Sequence, residues 1–244
     1  MGKLGFLLFT LGSFVLASAK LPKFIEPCSK SAADFQKCCT DHGNKALPLL
    51  LQGDKELKIP KLNPYHLDKV VADAGPNLKI TLTNIELQGV DSLKVTDMNV
   101  DFDKKTVYIS LHAERVMLIG TYAIDGKILV LPIKGNGPLN ITIVDSQFKY
   151  SFSYKLENRA GVDYAIVQDN DSLDFKISKS YYKLDNLFNG NKAMGDNVNK
   201  FLNENDQDII KELSATIKAV ITSIARTTGG GVLSTIPFSE LFLP

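Results

Sequence analysis

At 244 residues with 44% hydrophobic content, the chain can bury a sizeable core in one domain or two small ones. Its 28 basic residues nearly balance 27 acidic ones; the leader described below takes away one lysine, leaving 27 against 27 and a formal net charge of zero. That balance excludes the basic excess by which a nucleic-acid binder grips phosphates, and a strongly cationic surface for anionic lipids.

Residues Met1 to Ala19 read as a secretory signal peptide: Lys3 supplies the charged start, Leu4 to Leu16 the apolar run, and Ala17-Ser18-Ala19 the cleavage site. The run falls short of the ~20 residues that a membrane span needs. Residues 20–244 are therefore expected as one secreted domain, a monomer without stable membrane anchoring. Cys28, Cys38 and Cys39 lie close together. In a secreted chain an odd count implies one disulfide and one leftover thiol. Without a histidine cluster or further cysteines they make no metal site.

Ser31-Ala32-Ala33-Asp34 predicts the start of a helix, with a serine cap and an acidic first turn, that Gly53 stops. Ile59 to Pro64 reads as an extended connector. From Asn77 to about Lys179 the apolar period becomes two: Leu78, Ile80 and Leu82; Val107, Ile109, Leu111 and Ala113; Phe148, Tyr150, Phe152, Tyr154 and Leu156. Such alternation predicts half-buried antiparallel strands of roughly ten residues. Asp125-Gly126 predicts a two-residue hairpin turn, and Leu173, Phe175 and Ile177 the last clear strand. A polar turn from Asp185 to Gly195 then leads to Val198, Phe201, Leu202, Ile209, Leu213, Ile217, Val220, Ile221 and Ile224. Their three- and four-residue steps predict one amphipathic helix from about Asp196 to the glycine run at Gly229, about 30 residues spanning roughly 45 Å. The fold class is α+β, a long sheet packed along a long helix.

Chemistry-bearing motifs are sparse. His42, His66 and His112 are the three histidines, each read as a surface or boundary residue. The chain has no G-x-S-x-G, H-E-x-x-H or C-x-x-C pattern, so no catalytic residue and no cofactor are expected. Gly190 to Gly195 lacks the lysine of a phosphate loop, and Asp169-Asn170-Asp171 lacks the glycine and distant glutamate of a calcium loop. Both read as solvated turns. Asn140-Ile141-Thr142 and Asn170-Asp171-Ser172 are glycosylation sequons, with Asn170 favoured because it lies in an exposed turn.

The turn Asp185-Asn186-Leu187-Phe188-Asn189-Gly190, followed by Asn199-Lys200-Phe201-Leu202-Asn203-Glu204-Asn205, resembles the C-terminal motif of the insect takeout and juvenile-hormone-binding protein family. Ile59 to Pro64, Gly126 to Gly135, the Cys28/Cys38 pair and the closing Ile236 to Phe242 match in order. The resemblance implies a Cys28–Cys38 disulfide; Cys39 then stands where the family usually has an aliphatic residue, and it reads as a buried, inert thiol because free cysteine packs as a small hydrophobe. It also implies a strongly curved antiparallel sheet wrapped around the C-terminal helix, with an apolar tunnel between them. Large apolar residues are ordinarily core; the resemblance is what assigns some of them to a tunnel wall. Phe148, Tyr150, Phe152 and Tyr154 are the first candidates, the tyrosines offering hydroxyl handles. Met98, Met117, Phe175 and Phe201 follow, together with Ile109, Leu111, Leu213 and Ile217.

The resemblance implies a carrier, in haemolymph or another extracellular fluid, of a hydrophobic small molecule: a terpenoid, a fatty acid or ester, or a carotenoid. Two features depart from the family. No cysteine follows Cys39 to make the second disulfide of the dedicated hormone binders, which points to the broader takeout branch. Asp206 stands where the family often has tryptophan. The competing readings are a membrane-surface or protein-interaction module without a stably bound ligand, and a lipid esterase, against which the missing nucleophile motif counts.

Overall fold

The structure, a computed structural model, describes residues 21–73 and 77–244; the expected leader lies outside the described residues. In chain order the elements are β1 (Cys28–Ser29), α1 (Phe35–Leu50), β2 (Tyr65–Asp73), β3 (Leu78–Gln88), β4 (Leu93–Asp101), β5 (Thr106–Ile128), β6 (Leu131–Arg159), β7 (Val162–Val167) and β8 (Ser172–Leu184). Then come α2 (Lys192–Glu204), α3 (Asp206–Glu212), α4 (Ser214–Thr235), α5 (Phe238–Leu241) and β9 (Phe242–Leu243). β2 to β8 form one antiparallel sheet, ordered β2-β3-β5-β6-β7, with β4 also on β5 and β8 also on β6. β1 and β9 pair in parallel, Cys28 opposite Phe242.

The central strands exceed the expected ten residues: β5 has 23 and β6 has 29. Drawn straight, β6 would run roughly 95 Å; bulges on the neighbouring strands and a break in its own ladder interrupt that straight run instead. β3 shifts register between Thr83 and Glu86, and β4 between Val95 and Asp97. In the middle of the sheet the ladder skips Glu114, Asp145 and Ser178 on three adjacent strands. Asp145 adopts a φ of 52°. Its carboxylate lies 2.8 Å from His112 Nε2 and accepts from Ser178 Oγ at 2.6 Å, tying the three strands together at the bend. Side chains reverse face there. On β6 the inward residues are Leu139, Ile141 and Ile143 before the bend, and Ser146, Phe148 and Tyr150 after it.

The Asp125-Gly126 turn does not occur. β5 runs through both residues to Ile128, and the chain reverses at Leu129-Val130, where Glu212 Oε2 accepts the Leu129 N–H at 3.0 Å. Gly126 serves close approach instead: a Cβ there would lie 2.0 Å from the Asn77 carbonyl oxygen. β8 likewise continues past Ile177 to Leu184. α1 starts at Phe35, with Asp34 rather than Ser31 at the N-cap position and no side-chain cap bond.

Helix side chains close two open edges of the sheet. On α2 and α3, Asn199, Asn203 and Asp206 face the outer edge of β8. Asn199 accepts from Leu184 N (2.8 Å) and donates to Leu184 O (2.9 Å); Asn203 does the same with Tyr182 (2.9 and 2.8 Å). Asp206 accepts from Ser180 N at 2.9 Å and from Lys179 Nζ at 2.6 Å. On α1, Asn44 bonds both backbone groups of Val95 (2.7 and 2.8 Å), and Thr40 accepts from Met98 N at 3.0 Å. These bonds satisfy strand groups that would otherwise be open to pairing. They also account for Asp206: a buried, ion-paired carboxylate takes the tryptophan's place.

The expected single helix is three segments, bent at Asn205 and Leu213. Asn191 caps it, accepting from Met194 N at 3.1 Å, and it runs through the glycine triplet to Thr235. Packing overrides the glycine signal here. A Cβ at Gly231 would lie 2.3 Å from the Leu57 carbonyl oxygen, so only glycine lets α4 touch that backbone. Beyond it, Phe238 and Phe242 join Phe35, Phe102 and Tyr154 in an aromatic cluster, the Tyr154–Phe238 centroids 5.4 Å apart. Cys28 and Cys38 are bridged.

Gly231→Ala should destabilise the protein by about 1–3 kcal/mol through overpacking. Gly230→Ala, whose Cβ would meet nothing nearer than 3.9 Å, should be neutral or gain up to about 1 kcal/mol of helix propensity. Urea melts of the two variants check this; equal midpoints would mean that Gly231 does not touch Leu57. Burial raises the Asp206 pKa, but the Lys179 ammonium, the Ser180 N–H and Gln207 outweigh it and hold the carboxyl below its ordinary range. A depressed pKa gives stability that is present above the unfolded value of about 3.9 and is lost as pH falls through the folded one. Asp206→Asn should therefore cost about 1.5–3 kcal/mol at pH 7, and its deficit should shrink as the parent is taken into acid. A deficit independent of pH would show that charge is not what Asp206 contributes.

Candidate functional site

The concave face of the sheet and the inner face of α3 and α4 touch at their ends but do not close on each other along their whole length. Between them, with α1 along one side, lies an apolar cavity of about 580 Å³. Buried side chains gather in two clusters, one holding Phe152, Phe238 and Leu57 and the other Ile133, Leu187 and Ile209. The cavity is lined by members of both. The inward stripe of α4 records the gap. Ile217, Val220, Ile221 and Ile224 line the cavity yet are only half-buried, whereas Lys218, Ala219 and Ser223 on the other face are exposed. A helix seated on a close-packed core would bury that stripe almost completely.

Of the expected tunnel residues, Met98, Ile109, Leu111, Phe148, Tyr150, Phe152, Leu213 and Ile217 line the cavity. Four do not. Met117 lies beyond the bend at Glu114, where Val116 and Leu118 face inward in its place. Tyr154 is buried against Phe238 in the aromatic cluster. Phe175, the cross-strand partner of Phe148, stays half-buried on the outer strand β8. Phe201 is on α2, which bonds the edge of β8 and does not line the cavity with that side chain. Sequence reasoning missed Val116, Leu118, Tyr122, Ser146, Ser180 and Tyr182, all lining. The signal was present: apolar residues fall on odd positions from Leu139 to Ile143 and on even ones from Phe148 onward.

The lining hydroxyls are largely engaged by the protein. Tyr122 Oη donates to Asp185 O at 2.7 Å, and Ser180 Oγ to Tyr182 Oη at 2.9 Å. Burial pushes the Tyr122 and Tyr182 hydroxyls up to about 12, so both stay neutral. The handle expected on Tyr150 is taken: its Oη donates to Asp171 Oδ2 at 2.7 Å, and burial with that carboxylate raises its pKa. Asp171 is in turn held by Arg226 of α4 at 2.6 Å, and Asp169 bonds the same guanidinium at 2.8 Å. The Asp169-Asn170-Asp171 segment is a solvated turn at Asp169 and Asn170, as expected, but Asp171 turns inward, its side chain 7% exposed, and latches the β7–β8 turn to α4. Gly190 to Asn191 is an exposed turn into α2. His42 is paired with Glu26 at 3.0 Å, His112 with Asp145, and His66 is exposed on β2. Asn140 and Asn170 are both exposed.

Residues 6–243 match the family described as haemolymph juvenile hormone binding protein (JHBP). The chain belongs to this family. Among curated relatives it is 22% identical to the circadian clock-controlled protein daywake of Drosophila melanogaster over 230 residues, 90% of this chain and 88% of that one. It is 21% identical over 122 residues to a putative beta-carotene-binding protein of Schistocerca gregaria, half of this chain and 49% of that one. The crystal structure of Epiphyas postvittana Takeout 1 superposes with a TM-score of 0.81 at 26% identity, over 90% of this chain and all of that one. The curved sheet with C-terminal helices is therefore the takeout arrangement, as the motifs from Asp185 to Asn205 imply.

In this member of the family the leftover thiol, Cys39, is buried and lines the cavity, and burial raises its pKa to about 11. It should resist alkylation by iodoacetamide at pH 8 in the folded protein and react at once in denaturant. Mass spectrometry of the labelled chain checks this; rapid labelling of the native protein would mean that Cys39 is open to solvent.

Proposed function

We propose that this protein is a secreted carrier that shields an elongated hydrophobic small molecule from water inside the cavity. The observation that carries the reading is the apolar space of about 580 Å³ between sheet and helices. That volume falls in the ordinary range of small-molecule sites. Burying about 300 Å² of ligand surface would supply about 7 kcal/mol before the costs of association. A terpenoid, a fatty acid or ester and a carotenoid are the candidate classes, the family and the Schistocerca gregaria relative supporting them. The leader at Met1 to Ala19, release into haemolymph or another extracellular fluid, and glycosylation at Asn170 and Asn140 belong to the same proposal. So do a single domain over residues 20–244, a monomeric state, and function without catalysis, cofactor or nucleic acid. Among the described residues no helix is long and apolar enough to cross a membrane.

Solvent extraction of the natively purified protein, followed by mass spectrometry and an absorbance spectrum, should yield an apolar compound. An apolar fluorescent probe should bind the delipidated protein without metal or nucleotide. Phe152→Trp should weaken probe binding while leaving circular dichroism and melting nearly unchanged, because the added volume enters the cavity. In a packed core the same change would cost about 1–3 kcal/mol of stability. No extractable compound, no probe binding and a lowered melting temperature for Phe152→Trp would together overturn the carrier reading. Sedimentation with lipid vesicles in that case would favour a membrane-surface role.

A further inference from the structure

Ser146 is the residue that neither the fold nor the carrier reading uses. It lines the cavity, is 1% exposed, and its Oγ is the one buried side-chain oxygen or nitrogen among the described residues without a hydrogen-bond partner. Its surroundings explain why. The residues opposite it are Ala113 on β5 and Ile177 on β8, and the next inward residue on β6 is Phe148. None offers a side-chain partner. The bend at Asp145 turns Ser146 inward; without that reversal the hydroxyl would face outward. An unpartnered buried hydroxyl carries an uncompensated desolvation penalty. Ser146 also lies along β6 between the residues of the two core clusters, Leu139 on one side and Tyr150 on the other, part-way along the cavity.

The remaining wall limits what could meet that hydroxyl. Among the described residues no lysine or arginine lines the cavity; the lining histidine, His42, has both ring nitrogens 3.0 Å from Glu26, at its carbonyl oxygen and at Oε2, and Glu26 is itself held by Lys45 at 2.7 Å. A carboxylate buried there would find no unengaged cation, and an unpaired buried charge is strongly disfavoured. A pure hydrocarbon would leave Ser146 unpartnered. A hydroxyl can donate or accept and turns between staggered positions at little cost.

We infer that Ser146 is a specificity-determining residue that hydrogen-bonds a neutral oxygen, such as an alcohol, ester or ketone, on an otherwise apolar ligand. The inference rests on the carrier reading and narrows it: neutral oxygenated lipids bind better than hydrocarbons such as carotenes and better than free fatty acids.

The test uses three C15 isoprenoids of one skeleton, farnesol, farnesene and farnesoate, displacing an apolar fluorescent probe from the purified full-length protein. Farnesol should bind the parent about five- to tenfold more tightly than farnesene, the worth of one hydrogen bond, and more tightly than farnesoate at pH 8. Ser146→Ala should remove the preference for farnesol over farnesene, leave farnesene affinity unchanged and not lower the melting temperature. Ser146→Thr, which keeps the hydroxyl, should retain the preference. Equal binding of farnesol and farnesene by the parent, or an unchanged preference in Ser146→Ala, would overturn the inference and leave the carrier reading standing. So would a lower melting temperature for Ser146→Ala, since it would reveal a structural bond. Failure of all three compounds and of the probe to bind the parent would overturn the carrier reading and this inference with it.

Discussion

The structure depends on how the edges of one long, bent sheet are closed. A sheet this size presents unpaired backbone groups on its outer strands, and here helix side chains meet them: Asn199, Asn203 and Asp206 on β8, Asn44 and Thr40 on β4. Each asparagine amide both donates and accepts, so it stands in for a neighbouring strand. The helices are thereby fixed at the rims. With its rims fixed, the sheet cannot collapse onto α4, and the cavity persists between two well-packed ends.

The bend at Glu114, Asp145 and Ser178 has the second structural role. It lets strands of 23 and 29 residues curve around the helices, and it reverses which side chains face inward. The wall that β6 contributes is therefore built from odd positions at one end and even positions at the other. Asp145 fixes the reversal from the outer face through His112 and Ser178. One histidine that a catalytic reading would single out thus has a structural task.

Polar groups around the cavity are otherwise turned to the protein's own ends. Tyr150, Asp171 and Arg226 connect the sheet wall to α4 across the β7–β8 turn, and Tyr122 holds the Asp185 carbonyl at the start of the family motif. What remains for a ligand is shape, apolar surface and few free hydrogen-bonding groups. Such a site binds by excluding water and discriminates weakly, except where a single unpartnered group is present.

The sequence by itself determined the fold class, the strands' inward faces as far as the alternation stayed in phase, and the apolar stripe from Ile209 to Ile224. These are local periodicities, and burial of one face reads them out directly. The family motifs added the Cys28–Cys38 bridge and the cavity. Only the tertiary structure decided where local signals yield. Gly126 is a contact point and not a turn, because β3 packs against it; the Gly229 to Gly231 run stays helical, because Leu57 needs the space. Met117 lost its place on the wall to Val116 and Leu118, because the break in the ladder at Glu114 reversed the phase of the side chains. Asp171 and Asp206 became buried ion-pair partners only when Arg226 and Lys179, distant along the chain, were brought against them. Contacts between residues far apart in sequence leave no periodic trace, and they settle which apolar faces pack and which enclose a cavity.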